Sequence, residues 1–254
     1  MEEHITNYDM NLVAEFFAGM DRQGPGCDEQ SLLALGFAGQ LSKGSRVADM
    51  GAGTGSSALV LAEYTPAFIT AVDFLPLMIG VLRERAGKAG YSQRIEGVVG
   101  AMDEVAFPDG SLDMVWSEGA VSNIGFERGL RLWHRFLKPG GAVAVSDLTW
   151  LTHERPEEIQ RYFTECDPEI ALMEDKVAAM ERAGYRMKAA FVLPEDCWTD
   201  NYYTPVARRL DTFMPEHAGE PAAEKLAEGL RHEIEMYEEY GRYYGYVFYI
   251  GEKL

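Results

Sequence analysis

Three glycines at alternate positions constrain this chain more than any other feature. They follow a short apolar run at residues 47–50, which predicts a buried parallel strand. Gly51, Gly53 and Gly55 then lead into residues 56–62, whose pattern is typical of a helix start and helix body. Glycines at such a turn let the backbone approach a ligand, and the helix N-terminus adds a positive dipole end. The stretch predicts a ligand site, with a plain strand-to-helix turn as the alternative.

The spacing of these glycines indicates the class of ligand. A dinucleotide fingerprint would place its third glycine at position 56, which is Ser56 here. With an acid two residues before the first glycine, the stretch resembles motif I of the class I S-adenosylmethionine-dependent methyltransferases. A nicotinamide enzyme stays open as the alternative. The resemblance implies that cofactor contacts run along this segment: Asp49, Gly51, Ala52, Gly53, Thr54 and Gly55.

Composition excludes several classes of partner. The chain has 23 Lys and Arg against 41 Asp and Glu, a formal net charge of −18. Such a surface repels nucleic acid and anionic lipid. The three cysteines lie far apart, without the spacing of a metal site, so we expect free thiols and no bound metal. No apolar run has the length of a signal-peptide core or a membrane span, and the sequence predicts a cytoplasmic protein without a membrane partner.

The length of 254 residues suits one α/β domain, here a single methyltransferase domain over residues 1–254. Residues 1–44 are predicted to hold two cap helices, from Met10 and from Asp28, and residues 45–150 the cofactor-binding core. In the resembled family such an N-terminal segment often closes over the ligand. Gln23, between the helices, is therefore a candidate cofactor contact, with a plain interhelical turn as the alternative.

Asp73 ends the second predicted strand, residues 68–73. It lies where a nucleotide-binding fold needs a carboxylate to accept the hydroxyls of a ribose. The alternative is a cap on the helix that Pro76 opens. Phe74, next in the chain, offers an apolar wall for adenine.

The stretch after the third strand, residues 100–108, resembles the corresponding part of many of these enzymes. There, the residue after the glycine is usually an acid that contacts the adenine amino group. In this chain it is Ala101, a departure from the family pattern. The resemblance then leaves the adenine contact to Met102 or Asp103.

Ser117 and Glu118 lie at the carboxyl end of the fourth predicted strand, where ligands bind in open α/β sheets. Ser117 is a predicted cofactor contact. Glu118 is the first candidate for a general base, with a helix cap or a partner for an Arg as its alternatives. His153, after the fifth strand, is the second candidate, with an exposed loop residue as its alternative. Asn123 and Trp150 are expected to contact the substrate.

Five motifs in order over residues 45–148 carry the family resemblance. Besides the stretches above, they include the turn Lys138-Pro139-Gly140-Gly141. The resemblance implies a Rossmann-like, doubly wound α/β sheet of seven strands with an antiparallel last strand. It also implies methyl transfer from S-adenosylmethionine to a small molecule, as in a bacterial subgroup with methyltransferase domains of types 11 and 25. An NAD(P)-dependent oxidoreductase and a non-catalytic S-adenosylmethionine-binding module remain alternatives.

The last two predicted strands, residues 185–193 and 246–250, lie about 50 residues apart, too far for a hairpin loop. Residues 195–242 are therefore predicted to be a helical insert that forms a lid over the acceptor. Trp198 and Tyr202 are its candidate substrate contacts. A homodimer is a further expectation for this chain.

Overall fold

A mixed eight-stranded sheet forms the centre of the computed structural model, which describes residues 8–254. Its order is β3-β2-β1-β4-β5-β8-β7, and the short β6 pairs with β5 off this path. Strands β1 to β5 run parallel, whereas β8 is antiparallel to both β5 and β7. The predicted doubly wound sheet with an antiparallel last strand is confirmed. The strands are β1 Arg46–Met50, β2 Phe68–Asp73, β3 Ile95–Val99, β4 Leu112–Glu118, β5 Leu137–Trp150, β6 Ala171–Leu172, β7 Tyr185–Val192 and β8 Tyr244–Lys253.

Helices cover both faces of the sheet. The described part of the chain contains no helix long and apolar enough to span a bilayer. A helical turn, Asp196–Trp198, and a π-helical turn, Thr199–Tyr203, lead directly into α8. The helices are α1 Met10–Ala18, α2 Asp28–Ala38, α3 Ser56–Tyr64, α4 Pro76–Lys88, α5 Phe126–His134, α6 Glu157–Cys166, α7 Met173–Arg182, α8 Thr204–Glu216 and α9 Pro221–Tyr240.

Alternation along the buried strands divides the core into two layers. The neighbours Val47 and Ala48 point to opposite faces, as successive strand residues must, and they belong to different apolar clusters. One cluster joins the sheet to α3 and α4, and the other joins it to α5 and α7. Because both faces are covered, the central strands read as continuous apolar runs.

Two helix boundaries differ from what the sequence pattern predicts. The apolar spacing predicts a helix from Phe126 to Leu137, but the helix ends at His134, because Leu137 begins β5 and pairs with β4. The pattern also predicts a helix from Pro168, but the helix begins at Met173, because Ala171–Leu172 form β6 beside β5. In each case strand pairing prevails over the local helical pattern.

The insert between β7 and β8 covers the carboxyl ends of the parallel strands. Its ends are held side by side, since the amide of Leu193 donates to the carbonyl of Tyr246 at 2.8 Å. The ring of Phe213 on α8 packs edge-on against Phe16 on α1, with centroids 5.2 Å apart. The N-terminal helices and the insert therefore pack against each other above one end of the sheet.

Candidate active site

A single large cavity of about 820 Å³ lies beyond the carboxyl ends of β1, β2 and β4. One end, which we call the donor end, is lined by residues 51–53, Asp73 and residues 101–103. The other end is lined by aromatic side chains from α6, the insert and β8, and we call it the aromatic half: Tyr162, Phe163, Trp198, Tyr202, Tyr203, Tyr244 and Tyr246. Among the described residues, no group of three His, Cys, Asp or Glu side chains is arranged to hold a metal ion.

The amides of residues 51–55, the glycine loop, all donate to oxygens of the protein. A phosphate site at a glycine-rich loop needs backbone N–H groups that point at the ligand. This loop has turned its donors away from the cavity, so it does not form a pyrophosphate cradle. The acceptors are the Val72 carbonyl for Gly51 and Ala52, Asp73 Oδ2 for Gly53, Gln23 Oε1 for Thr54 and the Ala52 carbonyl for Gly55.

Protein neighbours explain why two of these positions are glycine. The φ angles of Gly51 and Gly53 are +75° and +53°, in the left-handed region. A Cβ atom at Gly53 would lie 2.2 Å from Gln23 Oε1, and one at Gly51 would lie 2.3 Å from the Cβ of Ala120. The glycines thus let the N-terminal segment and the loop after β4 close on the turn.

Gln23 joins the N-terminal segment to the glycine loop. Its Nε2 donates to the carbonyls of Phe17 and Met20 and to Thr54 Oγ1, at 3.2, 3.1 and 3.0 Å. Gln23 lines the cavity, as predicted for a cofactor contact. Thr54 and Gly55 do not line it, and their predicted contact with the cofactor stays a prediction. The Thr54 hydroxyl is buried, and Gly55 packs against Leu82.

Asp73 lies at the floor of the donor end. Its Oδ1 accepts the amide of Leu75 and its Oδ2 the amide of Gly53, both at 2.9 Å. Burial raises the pKa of Asp73, against these two hydrogen bonds, which lower it. The residue that caps α4 is Leu75, without a side-chain bond, so the cap role does not apply to Asp73. A carboxylate accepts about four hydrogen bonds, which leaves acceptor sites on Asp73 for a ligand.

Asp49 lies beneath the loop and does not line the cavity. The residue is buried, and its Oδ2 has no hydrogen-bond partner among the described residues. Burial, and after it the charges of Glu118 and Asp73, raise the pKa of Asp49 well above its usual range. Arg22, which pairs with Glu118, acts in the opposite direction and lowers the pKa of Asp49. The predicted cofactor contact of Asp49 stays a prediction.

The predicted adenine contacts line the donor end, but two of their polar groups are engaged. The Met102 carbonyl accepts Trp133 Nε1 at 3.0 Å, and Asp103 Oδ2 accepts Arg128 at 2.9 Å. Phe74 lines the cavity with about half of its surface exposed. Ser117 does not line it: the buried hydroxyl donates to the carbonyl of Met50 at 2.8 Å and ties β4 to β1.

Glu118 lines the cavity but is already surrounded by donors. Its Oε1 accepts Ser31 Oγ at 2.7 Å and Trp116 Nε1 at 2.9 Å, and its Oε2 pairs with Arg22 at 3.1 Å. Arg22 also pairs with Asp28 at 2.8 Å. The structure thus shows the Arg partner that the sequence left open as an alternative. The role of general base stays a prediction.

Two other predicted site residues lie away from the cavity. His153 is 76% exposed, and its Nε2 lies 3.3 Å from Glu174 Oε1. It is thus an exposed residue after β5, the alternative that the sequence left open, and its role as a base stays a prediction. Trp150 is buried, with Phe163 edge-on to it at 5.3 Å and the Arg155 guanidinium 4.0 Å from its ring. The structure shows these packing contacts, and the predicted substrate contact of Trp150 stays a prediction.

The substrate contacts predicted in the insert and after β4 all reach the cavity: Asn123, Trp198 and Tyr202. The Trp198 ring stacks on Tyr237, with centroids 4.7 Å apart and an angle of 15° between the planes. It also meets Tyr246 edge-on at 5.0 Å. The insert thus supplies a continuous aromatic wall.

Sequence reasoning missed Glu233, which lines the aromatic half. It lies on α9 in line with Leu226, Leu230 and Tyr237, at intervals of three and four residues, which is the face that packs inward. A carboxylate on the apolar stripe of a helix was the available signal. The five other acids of this helix are exposed: Glu224, Glu228, Glu235, Glu238 and Glu239.

Comparisons with known proteins agree with this geometry. Residues 47–141 match a methyltransferase domain family. The chain is 35% identical over 112 residues to a ubiquinone/menaquinone biosynthesis C-methyltransferase of Geobacter sp. (strain M21), covering 43% of this chain and 48% of that protein. It therefore spans about half the length of this curated relative.

Solved structures resemble the chain over nearly its whole length. A methyltransferase from Geobacter sulfurreducens, determined with S-adenosyl-L-homocysteine, has a TM-score of 0.82 at 21% identity and covers 96% of this chain and 98% of its own. YjhP from E. coli has a TM-score of 0.84 at 19% identity, covering 96% and 99%. At such identities the likeness establishes the fold. Residues 47–141 thus resemble a methyltransferase domain, and the chain shares the fold of these solved structures.

Proposed function

We propose that this chain transfers a methyl group from S-adenosylmethionine to a small-molecule acceptor and leaves S-adenosylhomocysteine. The observation that carries the proposal is the two-part cavity: the donor end and the aromatic half share one volume of about 820 Å³. Ligand cavities span roughly 300–1,000 Å³, so this one is at the large end of the range. It leaves room for a nucleoside donor and a small acceptor side by side.

The residues of the donor end fit this donor. Asp73 keeps acceptor sites for ribose hydroxyls, and Phe74 and Met102 offer apolar surface for adenine. The donor is a sulfonium cation, and two acids, Asp73 and Glu118, line the same cavity, with Arg22 paired to Glu118. An opposite charge nearby stabilises a cation.

The bound donor supplies a methyl group that its positive sulfur has already activated. The protein then has to bind both reactants in line, and such alignment lowers a barrier by about 7–11 kcal/mol. Glu118, held by Arg22 and Ser31, contributes fixed negative charge and not proton transfer. Residues 195–242 act as the lid that excludes water from the reacting groups, with Trp198 and Tyr202 against the acceptor.

The hydrogen bonds of the glycine loop argue against the oxidoreductase alternative. A nicotinamide dinucleotide carries a pyrophosphate, and the loop amides all donate to protein oxygens. The acids at the donor end would also repel that anion. A binding module without catalysis remains an outcome of the experiment below.

Calorimetry with S-adenosylhomocysteine, followed by a labelled-methyl screen of a metabolite pool, tests the proposal. We expect binding of S-adenosylhomocysteine, no measurable binding of NAD(H), and a labelled product in the pool. Binding without a labelled product would favour the non-catalytic module. Preferential binding of NAD(H) would overturn the proposal.

The cellular setting and assembly belong to the same proposal. Free thiols at Cys27 and Cys197, with their sulfurs 3.5 Å apart, suit the reducing cytoplasm.

Leu33 and Phe37 on α2 and Val192 on the edge strand β7 are exposed apolar side chains, which favours a homodimer. Light scattering would contradict the dimer if it gave a mass near the 28.3 kDa of one chain.

A further inference from the structure

Glu233, a carboxylate that the proposed chemistry does not yet use, lines the aromatic half. Glu233 Oε1 accepts the hydroxyl of Tyr203 at 3.2 Å. Within residues 8–254 the structure gives Glu233 no ion pair and no second hydrogen bond. An enclosed carboxylate normally pairs with a cation, so this one lacks the partner its surroundings call for.

The walls around Glu233 consist of ring faces and hydroxyl groups. Tyr202 and Tyr203 have centroids 5.1 Å apart, and Trp198 lies 5.9 Å from Tyr203. Burial, and next the charge of Glu233, raise the pKa of Tyr202, Tyr203 and Tyr244. These hydroxyls therefore stay neutral, and the carboxylate lies close to all three. Their rings present negative faces to whatever occupies the space between them.

The combination selects among ligand classes. An anionic group would be repelled by Glu233, and the described residues that line the aromatic half include no Lys or Arg. A neutral hydroxyl group would leave the carboxylate without compensating charge. An ammonium group satisfies both features, because ring faces attract cations and the carboxylate neutralises the charge.

We propose that the aromatic half binds an ammonium group of the methyl acceptor, with Glu233 as its counter-ion. The inference rests on the proposed function and narrows the acceptor to an amine. When that amine carries a proton, Glu233 takes it: an N–H bond breaks, an O–H bond forms at the carboxylate, and the lone pair stays on nitrogen. A neutral nitrogen is the form that can accept a methyl group.

The charge state of Glu233 depends on every group that faces it. Burial raises the pKa of Glu233 to about 7, against the hydrogen bond from Tyr203, which lowers it. The ionised fraction of such a group rises about tenfold between pH 6 and pH 8. Affinity for a permanent cation should rise with pH to the same extent. The facing titratable groups come from several parts of the chain: Tyr8 from the N-terminal segment, Tyr162 and Cys166 from α6 with Asp167 directly after it, Tyr202 and Tyr203 from the insert, His232 from α9, and Tyr244 and Tyr246 from β8.

Choline and its neutral carbon isostere, 3,3-dimethylbutan-1-ol, distinguish a charge effect from a shape effect. Both are titrated by calorimetry into the full chain saturated with S-adenosylhomocysteine, at pH 6 and pH 8. At pH 8 we expect choline to bind at least tenfold more tightly than the isostere, and about tenfold more tightly than at pH 6. Glu233→Gln should remove both differences. Glu228→Gln, an exposed acid on the same helix, and His232→Asn should retain them.

Three outcomes would overturn the ammonium site. They are equal binding of the two probes by the native chain, a preference that Glu233→Gln retains, and competition between choline and S-adenosylhomocysteine. The first and third outcomes are measured on the native chain, so they can contradict the inference even if Glu233→Gln does not fold. Failure of S-adenosylhomocysteine to bind, with choline still preferred, would overturn the proposed function and leave the cation site standing.

Discussion

Gln23 and Thr54, 31 positions apart, are bonded through both ends of the Gln23 carboxamide. Oε1 accepts the Thr54 amide at 3.0 Å, and Nε2 donates to the Thr54 hydroxyl at 3.0 Å. The N-terminal segment is thereby fixed on the glycine loop. This contact leaves no space for a side chain at Gly53.

Gly53→Ala should therefore destabilise the protein. A left-handed residue with a Cβ costs roughly 1–2 kcal/mol, and Gln23 must also move. At roughly 2–4 °C per kcal/mol we expect scanning calorimetry to show a fall of about 4–8 °C in Tm. In the Gly53→Ala background, Gln23→Ala should lower the stability less than it does in the native chain, because it removes the clash between the added methyl group and Gln23. Gly24→Ala, with nothing within 4 Å, is the matched control. An equal fall in Tm for Gly53→Ala and Gly24→Ala would contradict this explanation.

Asp73→Ala should weaken S-adenosylhomocysteine binding. Hydrogen bonds to a charged group contribute about 1.5–3 kcal/mol, so the dissociation constant should rise about ten- to a hundredfold. Isothermal calorimetry measures this, with circular dichroism to confirm the fold. Asp109→Ala, in an exposed turn, should bind as the native chain does. Unchanged affinity in Asp73→Ala would remove the ribose assignment.

Glu118→Gln should lower the affinity for S-adenosylmethionine more than the affinity for S-adenosylhomocysteine. S-adenosylmethionine carries a positive sulfur and S-adenosylhomocysteine does not, so the loss of a negative charge weakens the binding of the first more than that of the second. For a partly solvated charge we expect about 1 kcal/mol, or up to about tenfold in affinity. Competition binding with both ligands gives the ratio. An equal loss of affinity for both ligands would show that Glu118 only stabilises the surrounding loops.

Glu233→Gln should stabilise the ligand-free protein at high pH. Burial raises the pKa of Glu233 from its ordinary value of 4.5 to about 7, so the folded state binds more protons than the unfolded state between these pH values. The stability that protonated Glu233 contributes to the folded state is fully present below pH 4.5 and is lost as the pH rises through about 7. We expect a gain of about 3 kcal/mol at most at pH 8 and none near pH 4, from urea unfolding at both pH values. Glu228→Gln should show neither change.

The buried pair of Lys176 and Asp147 should be costly to break. Both side chains are at most 3% exposed, and burial raises the pKa of Asp147 to about 6, against Lys176, which lowers it. Lys176→Met leaves a buried charge without its partner and should cost about 3–5 kcal/mol in urea unfolding. Asp147→Leu with Lys176→Met should cost less than the single change. Arg161→Met, at the exposed pair with Glu157, should shift the free energy by less than about 1 kcal/mol.

The sheet was predictable because its signals are local. The run at 47–50 and the acid at Asp73 mark strand ends by burial and spacing alone, and the structure places both strands as expected. Their positions in a parallel sheet also place residues 51–53 and Asp73 at one end of one cavity. The family resemblance added the antiparallel last strand.

The direction of individual side chains was not predictable in the same way. Glu118 and His153 occupy similar positions after their strands, yet only Glu118 meets partners from the N-terminal segment. Those partners lie 87 and 96 positions away, beyond any local pattern. The burial of Trp150 likewise depends on Phe163 and Tyr244 from other elements. Glu233 was missed although its helical position carried the signal.

The hydrogen bond from Leu193 to Tyr246 has a consequence for how acceptor preference can change. It closes the insert at its base, beside the pairing of Val192 with Val247, so the sheet is complete whatever lies between. Residues 194–243 can then vary in length and sequence as one exchangeable cassette. An exchange would alter the aromatic half and Glu233 while the donor end, built from residues 51–103, stayed as it is. Chimeras cut at these two positions offer a direct route to enzymes that keep one methyl donor and accept new substrates.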